Sequence, residues 1–320
     1  MSVRSVGLHF SGWPTGSGIA LWAGLLALVF GAGALLAGAI HVPNASFESP
    51  VTTFVSVNVD SWQKAAKPDW YEETGGFEWT QLTGLFKNTP TNAADHIDNM
   101  DGSQALWLFA VPEVALYQDY DSMDWNDAVP THAFDATYEL GHSYRLTVGV
   151  VGNGGGMRPE ATLELGLYYR DAASNQLVVA TTVLTNKPGV FSNTTHFVDC
   201  EVTVPPVRFD DPWAGKQIGI RFLSTVSYEL RGGYWDLDHV RLQDIPPTTL
   251  SASSWNQGRF QLTLRSEPGL RFEILVATNL ALPPSQWLSL GTVSNATGEA
   301  AFTDFEASPA GRFYQARQLP

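Results

Sequence analysis

One cysteine, Cys200, is all the thiol that this chain of 320 residues contains. An internal disulfide is therefore excluded, and stability has to come from the size of the core or from a bound metal. Basic residues are also scarce, with 18 Lys and Arg against 32 Asp and Glu and a net charge of -14. Phosphate contacts need Lys and Arg, so nucleic acid is not expected as a partner. The same excess of carboxylate is repelled by anionic lipid surfaces and suits solubility and divalent cations. The sequence has no G-x-S-x-G, no H-E-x-x-H and no Gly-rich phosphate loop ahead of a helix. Its seven histidines, His9, His41, His96, His132, His142, His196 and His239, show no ligand spacing. Acid pairs such as Asp121 and Asp124 have the residue types for glycoside hydrolysis, but a chain this acidic forms such pairs by chance. The expectation is a non-enzymatic protein.

Long apolar runs are confined to one place. Residues 21–39, LWAGLLALVFGAGALLAGA, carry no charge and end in the small triplet Ala37-Gly38-Ala39. This reads as a secretory signal with cleavage before Ile40. The run is also long enough to span a bilayer, and Arg4 is the leader's single positive charge, so an uncleaved anchor helix is the alternative. Either way the remainder is exported, to the exterior or the cell surface, and meets a membrane only through this segment.

From residue 40 onward the chain reads as all-β. YRLTVGVVG (144–152), ATLELGLYYR (161–170), QLVVATTVL (176–184), HFVDCEVTV (196–204) and QIGIRFLS (217–224) alternate apolar and polar residues. GNGGG (152–156), DAASN (171–175), NKPG (186–189) and DDPWAG (210–215) separate them as turns, with GNGGG read as a hairpin loop. Strands at this spacing predict an antiparallel sandwich over 40–245. Pro246 and Pro247 mark a linker over 246–249. Beyond it, 250–320 predicts a small second β-sandwich from RFQLTLRS (259–266), RFEILVAT (271–278), WLSLGTV (287–293), EAAFTDF (299–305) and RFYQAR (312–317). That part is similar to a short β module found at the end of large exported bacterial proteins, where a spacer or surface-attachment role is implied.

The two ends of the larger region carry a more specific pattern. It opens with NASFE (44–48) and closes with GGYWDLDHVRLQD (232–244), with DGSQALWLF (101–109) and LYQDY (116–120) between. Together these resemble the galactose-binding-like jelly rolls, among them secreted carbohydrate-binding modules and the related Stig cyclases. The resemblance implies a jelly roll whose first and last strands lie side by side with a structural calcium ion where they meet. Carried over by residue, Glu48 and Asp238 match its two acidic ligands, and calcium takes 6 to 8 oxygens in all. Phe47 would anchor the core while Glu48 faces the ion from the opposite side of a strand. Asp101, in NMDG, is read as a turn residue.

Eleven tryptophans are many for this length, and several fall between 60 and 126 among acids. Sugar rings stack on flat aromatics while neighbouring carboxylates take their hydroxyl groups. Trp70, Tyr71, Trp79 and Trp125, flanked by acids or turn residues, are the candidate glycan contacts, and Trp107 and Trp62 are assigned to the core. The leading expectation is thus an exported, calcium-stabilised module that binds a polysaccharide or other glycan. Two others stand beside it: a surface or matrix protein making protein contacts, and a Stig-type cyclase or lyase in which a pocket acid protonates a small apolar substrate. Asn44-Ala45-Ser46, Asn193-Thr194-Thr195 and Asn295-Ala296-Thr297 match the glycosylation acceptor pattern.

Overall fold

The structure is a computed structural model that describes residues 38–74, 76–256, 258–307 and 311–319. The leader expected over 1–39 falls outside the described residues except for its last two, and so does the anchor helix. The described chain is all-β and divides into two compact units, one Ala39–Asp244 and the other containing Ile245–Pro320.

The first unit is built from β1 (Gly38–Ile40), β2 (Val55–Ser56), β3 (Gln63–Lys64), β4 (Thr83–Lys87), β5 (Gln104–Phe109) and β6 (Ala115–Gln118). It continues with β7 (Ser143–Gly154), β8 (Thr162–Arg170), β9 (Gln176–Thr185), β10 (Val198–Val204), β11 (Gly219–Ser224) and β12 (Tyr234–Ile245). A seven-stranded sheet runs β10-β7-β12-β5-β4-β2, with β1 also on β12, and a five-stranded sheet runs β3-β6-β11-β8-β9. Side chains alternate across a strand, so every second residue points between the sheets. Leu106 and Leu108 of β5 and Trp235 and Leu237 of β12 meet Leu163, Leu165 and Leu167 of β8 and Ile220 and Phe222 of β11 there, all fully buried. Phe47 and Trp62 complete this core, their rings 5.5 Å apart, and Trp62 stacks on Phe222 at 5.2 Å.

The opening NASFE is a turn and not the start of a strand. Phe47 N–H donates to Asn44 O at 3.2 Å, and Phe47 has a left-handed φ of 55°. The Asn44 amide donates to Ser49 O and Asp60 O, which closes the loop and drops the Phe47 ring into the core. GNGGG is likewise not a plain hairpin loop, because β7 continues through Gly152, Asn153 and Gly154.

In the second unit, β13 (Thr249–Asn256), β14 (Arg259–Arg265) and β17 (Glu299–Asp304) make one three-stranded sheet. The other consists of β15 (Arg271–Ala277), β16 (Leu288–Ser294) and β18 (Phe313–Gln318). Leu262, Leu264, Phe272, Ile274 and Ala316 form its core. The strand β13, absent from the sequence expectation, starts inside the stretch read as linker. Its alternation is masked by three serines and an exposed Trp255.

Candidate functional site

The alternation that sends Trp235 and Leu237 inward sends Tyr234 and Asp236 to the outer face of the seven-stranded sheet. On the neighbouring strand Trp107 pairs with Asp236 and Phe109 with Tyr234. These four side chains floor a cavity of about 640 Å³ walled by Phe54, Val55, Val57, Phe77 and Phe86. Trp107, expected in the core, instead faces this cavity, because Leu106 and Leu108 already take the inward positions of its strand.

Glycines open the floor. A methyl group on Gly84 of β4 would lie 2.6 Å from Cη2 and Cζ2 of Trp107, so the six-membered ring of the indole occupies the space over that residue. Its Nε1–H donates to Gln81 O at 3.2 Å. On the other side, a methyl group on Gly154 of β7 would lie 2.5 Å from Cε2 of Tyr234. Each ring thus lies over a glycine of the adjacent strand, and Asp236 is the pairing partner of Trp107, two residues from Tyr234 on β12. A glycine inside a strand often marks such a close approach.

Asp236 is 8% exposed, and its buried Oδ1 has no hydrogen-bonding partner among the described residues. Burial alone pushes its carboxyl up to about 8, because a charge taken out of water loses its hydration. At neutral pH the group is predominantly a neutral acid with a proton to give. Lys87, Asn88, Asp95, Asn153 and Thr194 add polar groups to the lining.

Glu48 and Asp238 come from the two ends of the unit to one turn, 101–104. Glu48 Oε1 accepts the N–H groups of Ser103 and Gln104, both at 2.7 Å, and its Oε2 accepts the Ser103 hydroxyl at 3.0 Å. Asp238 Oδ2 accepts Asp101 N–H at 2.6 Å and Oδ1 accepts His239 N–H at 2.7 Å. Asp238 is fully buried and its carboxyl is pushed up to about 8, first by burial and also by the nearby charges of Asp101 and Glu48, against the pull of the two N–H donors. Among the described residues, no group of three or more His, Cys, Asp or Glu is arranged to hold a metal. The two acids that meet at this turn already accept N–H groups, on Oε1 of Glu48 and on both oxygens of Asp238.

The four expected glycan contacts lie outside the cavity lining. Trp70, Tyr71 and Trp79 form one edge-to-face cluster, with Tyr71 and Trp79 centroids 5.0 Å apart and Tyr228 beside Trp70 at 6.0 Å. Trp79, expected at the surface, is buried, and its indole N–H is spent on Ala65 O at 2.7 Å. Trp70 is 38% exposed and donates to Glu113 at 2.9 Å. Trp125, 52% exposed, stands apart, its backbone N–H on Asp60. The residues that sequence reasoning missed are Asp236, Tyr234, Phe109 and the glycines beneath the rings. The signal that points to them is glycine within β-patterned segments.

No family profile and no curated protein matches this chain. Solved structures do. A cyclase from Fischerella sp. TAU, solved also with 4-(1H-indol-3-yl)butan-2-one, is 22% identical over 67% of this chain and all of its own, with a TM-score of 0.47. The CBM22-1 xylan-binding domain from Paenibacillus barcinonensis Xyn10C is 13% identical over 67% of this chain and 99% of its own, with a TM-score of 0.34. A Clostridium thermocellum xylanase carrying a CBM22-1 module, complexed with xylohexaose, is 14% identical over 58% of this chain and 26% of its own, with a TM-score of 0.29. Both kinds of protein that the sequence resembles, Stig cyclases and carbohydrate-binding modules, are therefore among its structural neighbours.

Proposed function

We propose that the cavity on the seven-stranded sheet is the ligand site of an exported protein, and that Asp236 acts there as a proton-donating acid on a small, ring-bearing, largely apolar substrate. This is the cyclase or lyase reading. One observation carries it: a buried carboxyl with an unpartnered oxygen lines the cavity together with the Trp107 and Tyr234 rings. Among the buried side-chain atoms of the described residues that lack a partner, it is the carboxyl oxygen, and it borders the cavity. The step balances without a co-reactant. The proton leaves the Asp236 carboxyl for a substrate carbon or heteroatom, and the cation so formed lies against the Trp107 and Tyr234 rings, whose faces attract positive charge. After ring closure or rearrangement, a proton lost from the product restores the acid.

Glycan binding is the second reading, favoured by Lys87, Asn88, Asp95, Asn153 and Thr194 in a lining that also offers flat rings. Calorimetric titration with 4-(1H-indol-3-yl)butan-2-one and with xylohexaose separates the two. The acid reading expects the indole to bind in the cavity and Trp107→Ala to abolish that binding. Xylohexaose binding with no indole binding would move the glycan reading ahead.

We further propose a structural calcium ion held by Glu48 and Asp238. The charges of Asp101 and Glu48 beside Asp238 support it, since a divalent cation would offset their action on that carboxyl. Melting curves with calcium and with chelator test it. Identical curves would leave the hydrogen bonds to the 101–104 turn as the whole of the latch.

A further inference from the structure

β9 ends the five-stranded sheet, paired to β8 on one side only. Natural edge strands are commonly defended by charge, above all lysine. This one is not: between Asp171 and Lys187 there is no charged residue. Leu177, Val178 and Val183 are 39%, 46% and 54% exposed. β10 of the other sheet reaches β9 through its inward face, where the Thr182 hydroxyl donates to Glu201 O at 2.6 Å.

The strand reads almost the same in both directions: Leu177-Val178-Val179-Ala180, then Thr181-Thr182-Val183-Leu184. An even-membered palindrome would ordinarily fail as a self-pairing edge. Residues related across its centre differ by an odd number of positions, and so point to opposite faces of a regular strand. β9 is not regular. Tyr168 pairs with Val178 and Leu167 with Ala180, so Val179 is an extra, bulged residue. The bulge shifts the alternation by one. Leu177 and Leu184 then share the inner face, opposite the buried Tyr169 and Leu163, while Val178, Thr181 and Val183 share the outer face.

We propose that β9 is the interface for a second copy of this chain, pairing antiparallel about a two-fold axis at Thr181 and joining two five-stranded sheets into one. Thr181 lies opposite the partner's Thr181, Val178 opposite the partner's Val183 and Leu177 opposite the partner's Leu184. The bulged Val179, with Ala180, faces the partner's Thr182. Every opposed pair is on a common face. At both ends Lys187 comes beside the partner's Asp171–Asn175 turn, a base meeting an acid at each.

Sedimentation velocity of the full chain tests this with two variants at the axis. Thr181 is exposed on the outer face, so Thr181→Lys and Thr181→Asp leave far-UV circular dichroism unchanged. Each places like charges directly opposite one another, which disfavours pairing. The expected result is a wild-type dimer, two monomeric variants, and a dimer restored when the variants are mixed. A monomeric wild type at high micromolar concentration overturns the proposal. So does a dimer that both variants leave intact, or a mixture that stays monomeric. Hydrogen exchange on the wild type gives a check free of substitutions: amides of Gln176–Thr185 gain protection as concentration rises, and unchanged protection overturns the interface.

Discussion

Asp236 and Asp238 stand two residues apart on one strand, both buried and both pushed up to about 8, and they are differently employed. Asp238 has an N–H donor on each oxygen, His239 of its own strand on one and Asp101 on the other, and the Asp101 bond fastens the 101–104 turn to β12. Asp236 has an oxygen with no partner and a cavity in front of it. A buried acid with a backbone donor on each oxygen is part of the frame, with or without an ion; one with an oxygen that no donor reaches, facing a cavity, is available to a ligand. Burial and pKa do not separate the two. The hydrogen-bond inventory does.

Truncation should break this comparison most strongly on the Asp238 side. Asp238→Ala leaves the N–H groups of Asp101 and His239 without acceptors, and is expected to cost about 2–5 kcal/mol of stability, read from denaturant unfolding. Asp236→Ala strands no donor and should cost less. Equal losses would mean that Asp236 also has a structural partner.

Filling the floor comes next. Gly84→Ala drives a methyl group against the Trp107 indole and the backbone oxygen of Ser56, so ring or strand must move. Overpacking of this kind costs about 1–3 kcal/mol. Ligand binding should fall further than stability does, because the displaced indole closes the space beside Asp236. Unchanged affinity for whichever probe binds would place the ligand elsewhere.

The pH dependence sharpens the comparison in another way. Asp236 in the folded chain holds its proton up to about pH 8, far above the ordinary aspartate range of the unfolded chain. Its contribution to stability is therefore full below about pH 4 and is lost as pH rises through about 8. Asp236→Asn cannot ionise, so it should be more stable than wild type at pH 9, by on the order of 5 kcal/mol for a rise from about 4 to about 8, and nearly equal at pH 4. Parallel stability curves for the two proteins would show that Asp236 is ionised in the fold.

Much of the frame was legible in the sequence because it depends on alternation. β7 to β11 lie where period-two patterning put them, and Asp238 was singled out with Glu48, which does arrive at the same turn. The cavity was not legible, for a physical reason. Alternation in QALWLF shows that Trp107 lies on the face opposite Leu106 and Leu108, but not which face is the core when both are apolar. In YWDLD the aspartates fall on one face and sequence does not say which is orphaned. Gly84 and Gly154 were the available clue. Gly154 was absorbed into a turn reading of GNGGG, although an alternating strand ran directly into it.

The smallest expected effect falls on the residues that looked most like a binding surface. Trp125 is exposed and apart from the cavity, and the Trp70, Tyr71 and Trp79 rings pack on one another at the edge of the sandwich. Exposed substitutions away from special features usually change stability by less than about 0.5 kcal/mol, and Trp125→Ala should do the same. If the cavity is the ligand site, this variant also leaves indole and xylohexaose titrations unchanged. Trp107→Ala, by contrast, should abolish whichever of them binds, because its indole supplies one wall beside Asp236. A loss of xylohexaose binding in Trp125→Ala with none in Trp107→Ala would reverse the order of the two regions. Sugars would then be held on the exposed loop aromatics, and the cavity with its acid would need another ligand.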